Sequence, residues 1–388
     1  MIRKIRFSNF YSFKGVQEIN FLATKKKAYS YTSTKSNGYI TKVAAFIGGN
    51  ASGKTNVMRL FSFLSYFICM SSKDNTIPLS SIAFKTFYNN KKKSDFYIEY
   101  EDDNKIFYYQ LQIKDNVVIR EELQFKKLIK NAKKTKLFLR ELSNVSYFNK
   151  RYFEDFPVKF VKNIRLDVSL IAFLKSNYNL RIINNVYDYF FKFQTNINEK
   201  GEISNRAHQF KTLELYLKDE DLKGSMELFI RHFDLGLSGF EIKKEEYSIL
   251  VRGIHSIKGK NNKLDFIYES RGTQSLFFTL ANIFTAIKND TVVVIDEIES
   301  GLHPEALNKL VSYIMDENEK HKAQIIFSSN SLGFMSKLDM HQLFLTEKDV
   351  DGESIVYRLN EVDGVRSDEN FLTKYMSGAY GGFPKIRV

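Results

Sequence analysis

Eight residues of the chain, Gly48, Gly49, Asn50, Ala51, Ser52, Gly53, Lys54 and Thr55, match the pattern G-x-x-x-x-G-K-[ST] at every position. Such a run can cradle a nucleoside triphosphate. Its glycines let the backbone curl until successive N–H groups face the phosphates, and a helix starting there adds its N-terminal partial positive charge. Lys54 supplies a cation to the phosphates, and the Thr55 hydroxyl is a magnesium ligand. Asn56 closes the stretch expected to contact ATP. Far downstream, Val292, Val293, Val294 and Ile295 run into two carboxylates, Asp296 and Glu297. A buried parallel strand would carry Asp296 to the carboxyl edge of its sheet, where it can hold Mg2+ or its water. Glu297, one residue on, is placed to polarise a water toward the γ-phosphate as general base. Read alone, the apolar run could end in a solvated acidic turn. Paired with the phosphate loop, it points to a magnesium-dependent ATPase.

Both halves need a parallel sheet to bring them together. Val43 to Ile47 form a short apolar run that reads as a buried strand feeding the loop, and an amphipathic helix is expected from Lys54 to about Ser71. Ile2 to Phe10 and Gln17 to Leu22 read as strands, with a basic loop from Lys25 to Asn37 after them. Strands at Asp95 to Tyr100, Lys105 to Ile113 and Asn116 to Arg120, with the turn Asp102, Asp103, Asn104, suggest an antiparallel meander. Helical spacing is expected from about Lys126 to Phe233, and strands again over Phe240 to Lys263. The last third alternates: a helix after Gly272, a strand Thr291 to Ile295, a helix Glu305 to Asp316 and a strand Gln324 to Ser328. These expectations divide the chain into residues 1–125, an inserted helical region 126–235, and 236–388.

Composition narrows the class. The 388 residues include 35 Phe and 22 Tyr, enough for a large core. A single cysteine, Cys69, excludes an internal disulfide framework and a Cys-cluster metal site, and fits a reducing, cytoplasmic setting. No apolar segment follows the basic start as a signal peptide would require, and Leu60 to Met70 is too short to span a bilayer. The net charge of +13 fits either attraction to nucleic acid or simple compositional drift toward Lys and Asn.

With both halves placed, the chain resembles the ABC-type ATPases of the SMC/RecF group. Asn9, Phe10, Tyr11, Ser12 and Phe13 are similar to that group's opening, with Tyr11 where an Arg is usual. Ser270, Arg271, Gly272, Thr273 and Gln274 are similar to the ABC signature. Without the resemblance, they are equally a capped helix start. The resemblance implies that Ser270, Gly272, Thr273 and Gln274 reach the γ-phosphate held by a second copy of the chain. Ser300, Gly301, Leu302 and His303 stand where the D-loop stands, with His303 in place of the usual Asp; no second His or Cys is spaced to make His303 a metal ligand. Asn330 occupies the switch-histidine position; it can donate a hydrogen bond to a phosphate but cannot become cationic. Gln110 and Gln112, in a strand, are poor Q-loop candidates. "EIESGLHPE" (Glu297 to Glu305), the meander, and the Gly-rich tail from Tyr375 to Pro384 with Gly378, Gly381 and Gly382 are similar to stand-alone ATPases of bacterial phage-defence systems, of the OLD-related RloA/AbiL type. The implied fold is α/β: a P-loop ABC-type ATPase head with an antiparallel β-meander subdomain and an inserted helical region. No room remains for a TOPRIM nuclease domain, so an effector would be separately encoded.

Three functions follow from these readings. The first is an ATPase that dimerises around ATP and Mg2+ and regulates an effector in defence. The second is a DNA-repair or tethering ATPase gripping DNA through Lys126, Lys127, Lys130, Lys133, Lys134, Lys136 and Arg140, with Phe125 and Phe138 nearby, a run that is otherwise a solvated helix face. The third, a transporter subunit on a membrane partner, is disfavoured by the missing Q-loop.

Overall fold

Alternation within short apolar runs decides which face of the central sheet each residue covers. In the computed structural model, which describes residues 1–23, 31–34, 38–72, 82, 84–153, 156, 161, 164–198, 201–202, 206–232, 236–246 and 248–383, β6 (Val43–Gly48) lies inside a six-stranded sheet. Its neighbours, in spatial order, are β12 (Gln194–Thr195), β18 (Val292–Ile295), β19 (Gln324–Ser329), β6, β20 (Leu343–Lys348) and β21 (Ser354–Arg358). Pairing is parallel from β12 to β20, and only β21 runs antiparallel. Ala44 and Phe46 pack toward a core shared with α1 (Lys54–Met70). Val43, Ala45 and Ile47 face a second core built on α6 (Arg271–Lys288) and α7 (Pro304–Glu317). Both faces are covered, which is why these strands read as continuous hydrophobic runs.

A seven-stranded antiparallel sheet stands beside it. From one edge it runs β11 (Asn144–Phe148), β10 (Thr135–Glu141), β9 (Val117–Lys127), β8 (Lys105–Lys114), β7 (Ser94–Asp102), β1 (Ile2–Ser8) and β2 (Gln17–Asn20). The meander therefore has two strands more than the sequence suggests, and the region from residue 126 does not begin as helix. The first helices after it are α2 (Leu170–Asn177) and α3 (Arg181–Phe191), then α4 (Arg206–Lys218) and α5 (Glu220–His232). Smaller pieces are the sheet of β3 (Leu22–Ala23), β4 (Tyr31–Thr34) and β5 (Gly38–Thr41), and the hairpin of β13 (Ile197–Asn198) and β14 (Gly201–Glu202). A further sheet of β15 (Gly239–Lys244), β16 (Ile249–Ile257) and β17 (Lys260–Asp265) precedes α6. The chain ends its described part after α8 (Phe371–Met376). The basic run Lys25, Lys26 and Lys27 and the tail from Pro384 lie outside the described residues.

An aromatic cluster joins the two sheets through the N-terminal turn. Phe10 packs on Phe63 of α1, Phe84 and Phe96 of β7, at centroid distances of 5.9, 5.6 and 5.7 Å. Burying each such ring is worth about 1.5–3 kcal/mol. Asn9 turns the chain with φ 54°, and its side-chain amide donates to Asn90 Oδ1 and the Lys92 carbonyl (2.9 and 2.8 Å). The opening Asn9 to Phe13 thus locks the meander to the helix that follows the phosphate loop.

The meander is tied to the helical region by a buried ion pair. Arg140 and Glu121 are fully buried, and Arg140 Nη1 donates to Glu121 Oε2 at 3.4 Å. Arg140 also donates to the carbonyls of Leu142 and Arg165 (both 2.7 Å). Glu121 accepts from Ser169 Oγ and Leu170 N–H (both 2.8 Å). These bonds satisfy charges that burial would otherwise penalise by several kcal/mol. They also correct the expected nucleic-acid grip: Arg140, Phe125 and Phe138 are interior residues. Lys136 pairs with Glu122 (3.2 Å), and Lys134 sits 3.6 Å over the Tyr108 ring. The lysines follow strands and a turn, not a helix face.

Candidate functional site

β6, β18 and β19 end on the same edge of the parallel sheet, where ligands of open α/β sheets bind. After β6 the chain curls through residues with positive φ: Ala51 at 58° and Gly53 at 118°. A Cβ on Gly53 would lie 2.9 Å from Ser354 Oγ, so glycine is required by space as well as conformation. Ser52 Oγ pairs with Thr346 Oγ1 of β20 at 2.6 Å. Lys54, at the start of α1, is buried, and its ammonium donates to the carbonyls of Gly48 and Gly49 (2.8 and 2.9 Å). Burial lowers its pKa, and Glu299, Asp296 and Glu297 oppose that shift. Asn56 donates to Ser12 Oγ at 2.9 Å, tying the helix start to the N-terminal turn. Tyr11, where the sequence departs from the pattern, packs its ring 5.1 Å from the Arg59 guanidinium.

Glu297 sits across the same pocket, and Asp296 precedes it at the end of β18. The pocket is lined by Asn50 to Asn56 together with Glu297, Asn330 and Lys348. Ser328 Oγ, from the end of β19, donates to Asp296 Oδ1 (2.5 Å) and accepts from the Glu297 N–H (2.9 Å). Asn196 braces Asp296 from the other side: its Oδ1 accepts from the Asp296 N–H (2.8 Å) and its Nδ2 donates to the Asp296 carbonyl (2.9 Å). Glu297 has φ 50°, a left-handed conformation that is costly for a side chain of its size. Its pKa is raised, first by burial and then by Asp296 and Glu299, while Asn330 and Lys54 pull it down. Asn330 Nδ2 stands 3.5 Å from Glu297 Oε1, and its backbone N–H donates to Glu299 Oε1 at 2.6 Å. Thr55 and Asp296 are hard oxygen donors, a set that suits Mg2+ completed by phosphate and water. A magnesium held there would neutralise phosphate charge.

The remaining sequence candidates form a second cluster. Ser270 caps α6, its Oγ accepting from the Thr273 N–H (3.1 Å). Gln274 Nε2 donates to the Ile267 and Glu269 carbonyls (3.2 and 2.9 Å). Gly272 meets Gly301 closely: a Cβ on Gly272 would fall 2.3 Å from the Gly301 carbonyl oxygen. The Ser300 N–H donates to the Glu297 carbonyl at 2.9 Å. His303 caps α7, Nδ1 accepting from the Glu305 N–H at 3.2 Å. Residues Ser270 to Gln274 do not line the phosphate-loop pocket of their own chain. Gln110 and Gln112 lie in β8, and Gln112 donates to Asp95 (2.6 Å). Sequence reasoning missed Lys348, Asn196, the bridging role of Ser328 and Thr346. Asn196 and Thr346 act across separations of 100 and 294 residues, which no local motif signals.

A phosphate loop after β6, an acidic pair two strands away at the same sheet edge and a doubly covered parallel sheet define a P-loop ATPase domain. Residues 43–336 match the family described as "AAA domain, putative AbiEii toxin, Type IV TA system", and the chain belongs to that family. No curated protein matches the chain. Among solved structures it is similar to the SMC head domain from Thermotoga maritima, with 15% identity, TM-score 0.42, and coverage of 92% of this chain and 98% of that one. It is also similar to an SmcHead bound to the C-winged helix domain of ScpA, with 12% identity, TM-score 0.47, and 92% and 96% coverage. A third is an Smc head with an extended coiled coil bound to the C-terminal domain of ScpA derived from Pyrococcus furiosus, with 14% identity, TM-score 0.47, and 93% and 97% coverage. No helix among the described residues is long and apolar enough to cross a membrane.

Proposed function

We propose that the protein is a magnesium-dependent ATPase that closes as a homodimer around ATP and regulates a separately encoded effector in anti-phage defence. The observation that carries the dimer is the separation of the two clusters. Lys54, Glu297 and Asn330 share one pocket, while Ser270 to Gln274, packed against Gly301, lie outside it. A second copy bringing its Ser270 and Gly272 to the γ-phosphate would complete each site. In this reading Lys54 and the loop amides bind the triphosphate, Thr55 and Asp296 hold Mg2+, and Glu297 orients and deprotonates the attacking water. Asn330 supplies a neutral donor where a cation would stabilise the transition state more strongly, so turnover is slow. ATP then acts as a ligand with different affinity for open and closed dimers. The defence role leans on the resemblance to OLD-related ATPases and agrees with the family's toxin–antitoxin description.

The test is Glu297→Gln, which keeps the side-chain shape and removes the base. Light scattering of this variant should show monomer mass without nucleotide and twice that mass with Mg–ATP. An unchanged mass at saturating Mg–ATP would overturn the dimer. The DNA-tethering reading loses support with the burial of Arg140, Phe125 and Phe138.

A further inference from the structure

The Gly-rich segment after α8 has no part in the reading above, yet it touches the phosphate loop. Gly381 and Gly382 turn the chain back with φ of 75° and 65°. A Cβ on Gly381 would fall 2.5 Å from the Tyr357 hydroxyl, so the turn needs glycine there. The two peptide groups flanking the Gly382 Cα are each fixed. The Gly382 N–H donates to Glu347 Oε2 (2.8 Å), and its carbonyl accepts from the buried Tyr375 hydroxyl (2.8 Å). The same carbonyl accepts from the N–H of Gly49 at 3.2 Å. Tyr357 holds the carbonyl of Tyr380, two residues earlier, at 2.9 Å. Phe383 packs edge-on to the Tyr375 ring, 5.7 Å between centroids. The start of the loop is therefore gripped from the tail, and its middle by the Ser52–Thr346 pair.

We propose that Tyr375, Gly382 and Glu347 form a brace that positions the phosphate loop, making the C-terminal segment a working part of the nucleotide site. With no anion bound, the converging amides of the loop lack their ligand, and the shape is held by Lys54 on the Gly48 and Gly49 carbonyls from within and by the tail from outside. Pre-shaping it removes an ordering cost from nucleotide binding. The brace acts at Gly49, on the β20 side of the loop, whereas Glu297 and Asn330 approach from β18 and β19. Loosening it should weaken nucleotide binding and leave the chemical step alone, raising KM with kcat unchanged. Coupling is reciprocal, so nucleotide should in turn order the tail.

The inference rests on the assignment of Gly48 to Thr55 as the ATP site, and the experiment separates the two. With the purified full chain, Mg–ATP affinity is measured by titration, KM and kcat by phosphate release, and amide exchange over residues 378–383 with and without Mg–ATP. Tyr375→Phe should raise Kd and KM roughly two- to tenfold, the loss of one hydrogen bond, with kcat within experimental error of the parent. Glu347→Leu should behave in the same way, and Glu347→Gln, which keeps an acceptor for the Gly382 N–H, should match the parent. Mg–ATP should slow exchange in the tail of the parent chain. The brace is overturned if both Tyr375→Phe and Glu347→Leu, folded by thermal melt, bind Mg–ATP as the parent does, or if the tail's exchange ignores nucleotide. A parent chain that binds no Mg–ATP would overturn the ATP site itself.

Discussion

Glu297 carries the conflict between stability and chemistry. It is a carboxylate with a left-handed backbone, next to Asp296 and near Glu299, and its pKa is raised. A raised carboxyl pKa favours the neutral form in the fold. The stability it lends is full below the unfolded pKa and is lost as pH rises through the folded one. At neutral pH the ionised Glu297 therefore weighs against folding, while the proposed base function requires it ionised. Two outcomes follow for Glu297→Gln. Thermal melts at pH 7 should show a small rise in Tm, and at pH 4, where the native carboxyl is already protonated, the rise should vanish. In the parent chain the acid limb of kcat/KM should lie above the ordinary carboxylate range, with activity falling as pH drops. A Tm gain that persists unchanged at pH 4 would mean that charge at Glu297 is not its source.

At the scale of elements, the α6 start and the turn before α7 meet in a close backbone approach, as Gly48 of the phosphate loop does with the Thr346 carbonyl. Gly272→Ala places its Cβ 2.3 Å from the Gly301 carbonyl, backbone that has no free rotamer to yield. It should cost about 1–3 kcal/mol, as overpacking does, seen as a lowered midpoint in denaturant melts. Unchanged stability would mean that the two turns are not packed in solution. Elements of this kind were legible in the sequence where pattern and function coincide. Val43–Gly48 and Val292–Ile295 are buried runs flanked by motif residues, and both fall within a residue of the expected place. The two strands at 135–148 were not legible, for a physical reason. Register shifts between Lys136 and Phe138 where β10 meets β9, so Leu137 and Phe138 are both buried and the period of two is broken. The lysines around them then read as a helix face. Arg140 compounds the error, since nothing local reveals that a charged residue is interior. Its partner Glu121 lies 19 residues back.

For the whole molecule, the proposed dimer makes a quantitative statement about mixed subunits. Lys54→Ala removes the phosphate cation and should reduce turnover at least about a hundredfold, as loss of a transition-state charge partner does. Ser270→Ala removes the hydroxyl that the proposed dimer would offer to the partner's nucleotide; as a helix cap its loss costs about 1 kcal/mol. It is a cleaner probe than Gly272→Ala, which also disturbs Gly301 in its own chain. If signature and phosphate loop act across the interface, each variant alone has two damaged sites. A mixed dimer instead has one site with both halves native and one with both halves altered. Random reassortment of an equal mixture makes half the dimers mixed, so activity should return to about a quarter of the parent value, given a closed twofold assembly. Sites completed within a single chain predict no recovery, because every chain would still carry one defect. The size of the recovery, measured against mixing ratio, thus reads out the geometry directly, and a flat profile would return Ser270 to the role of a helix cap.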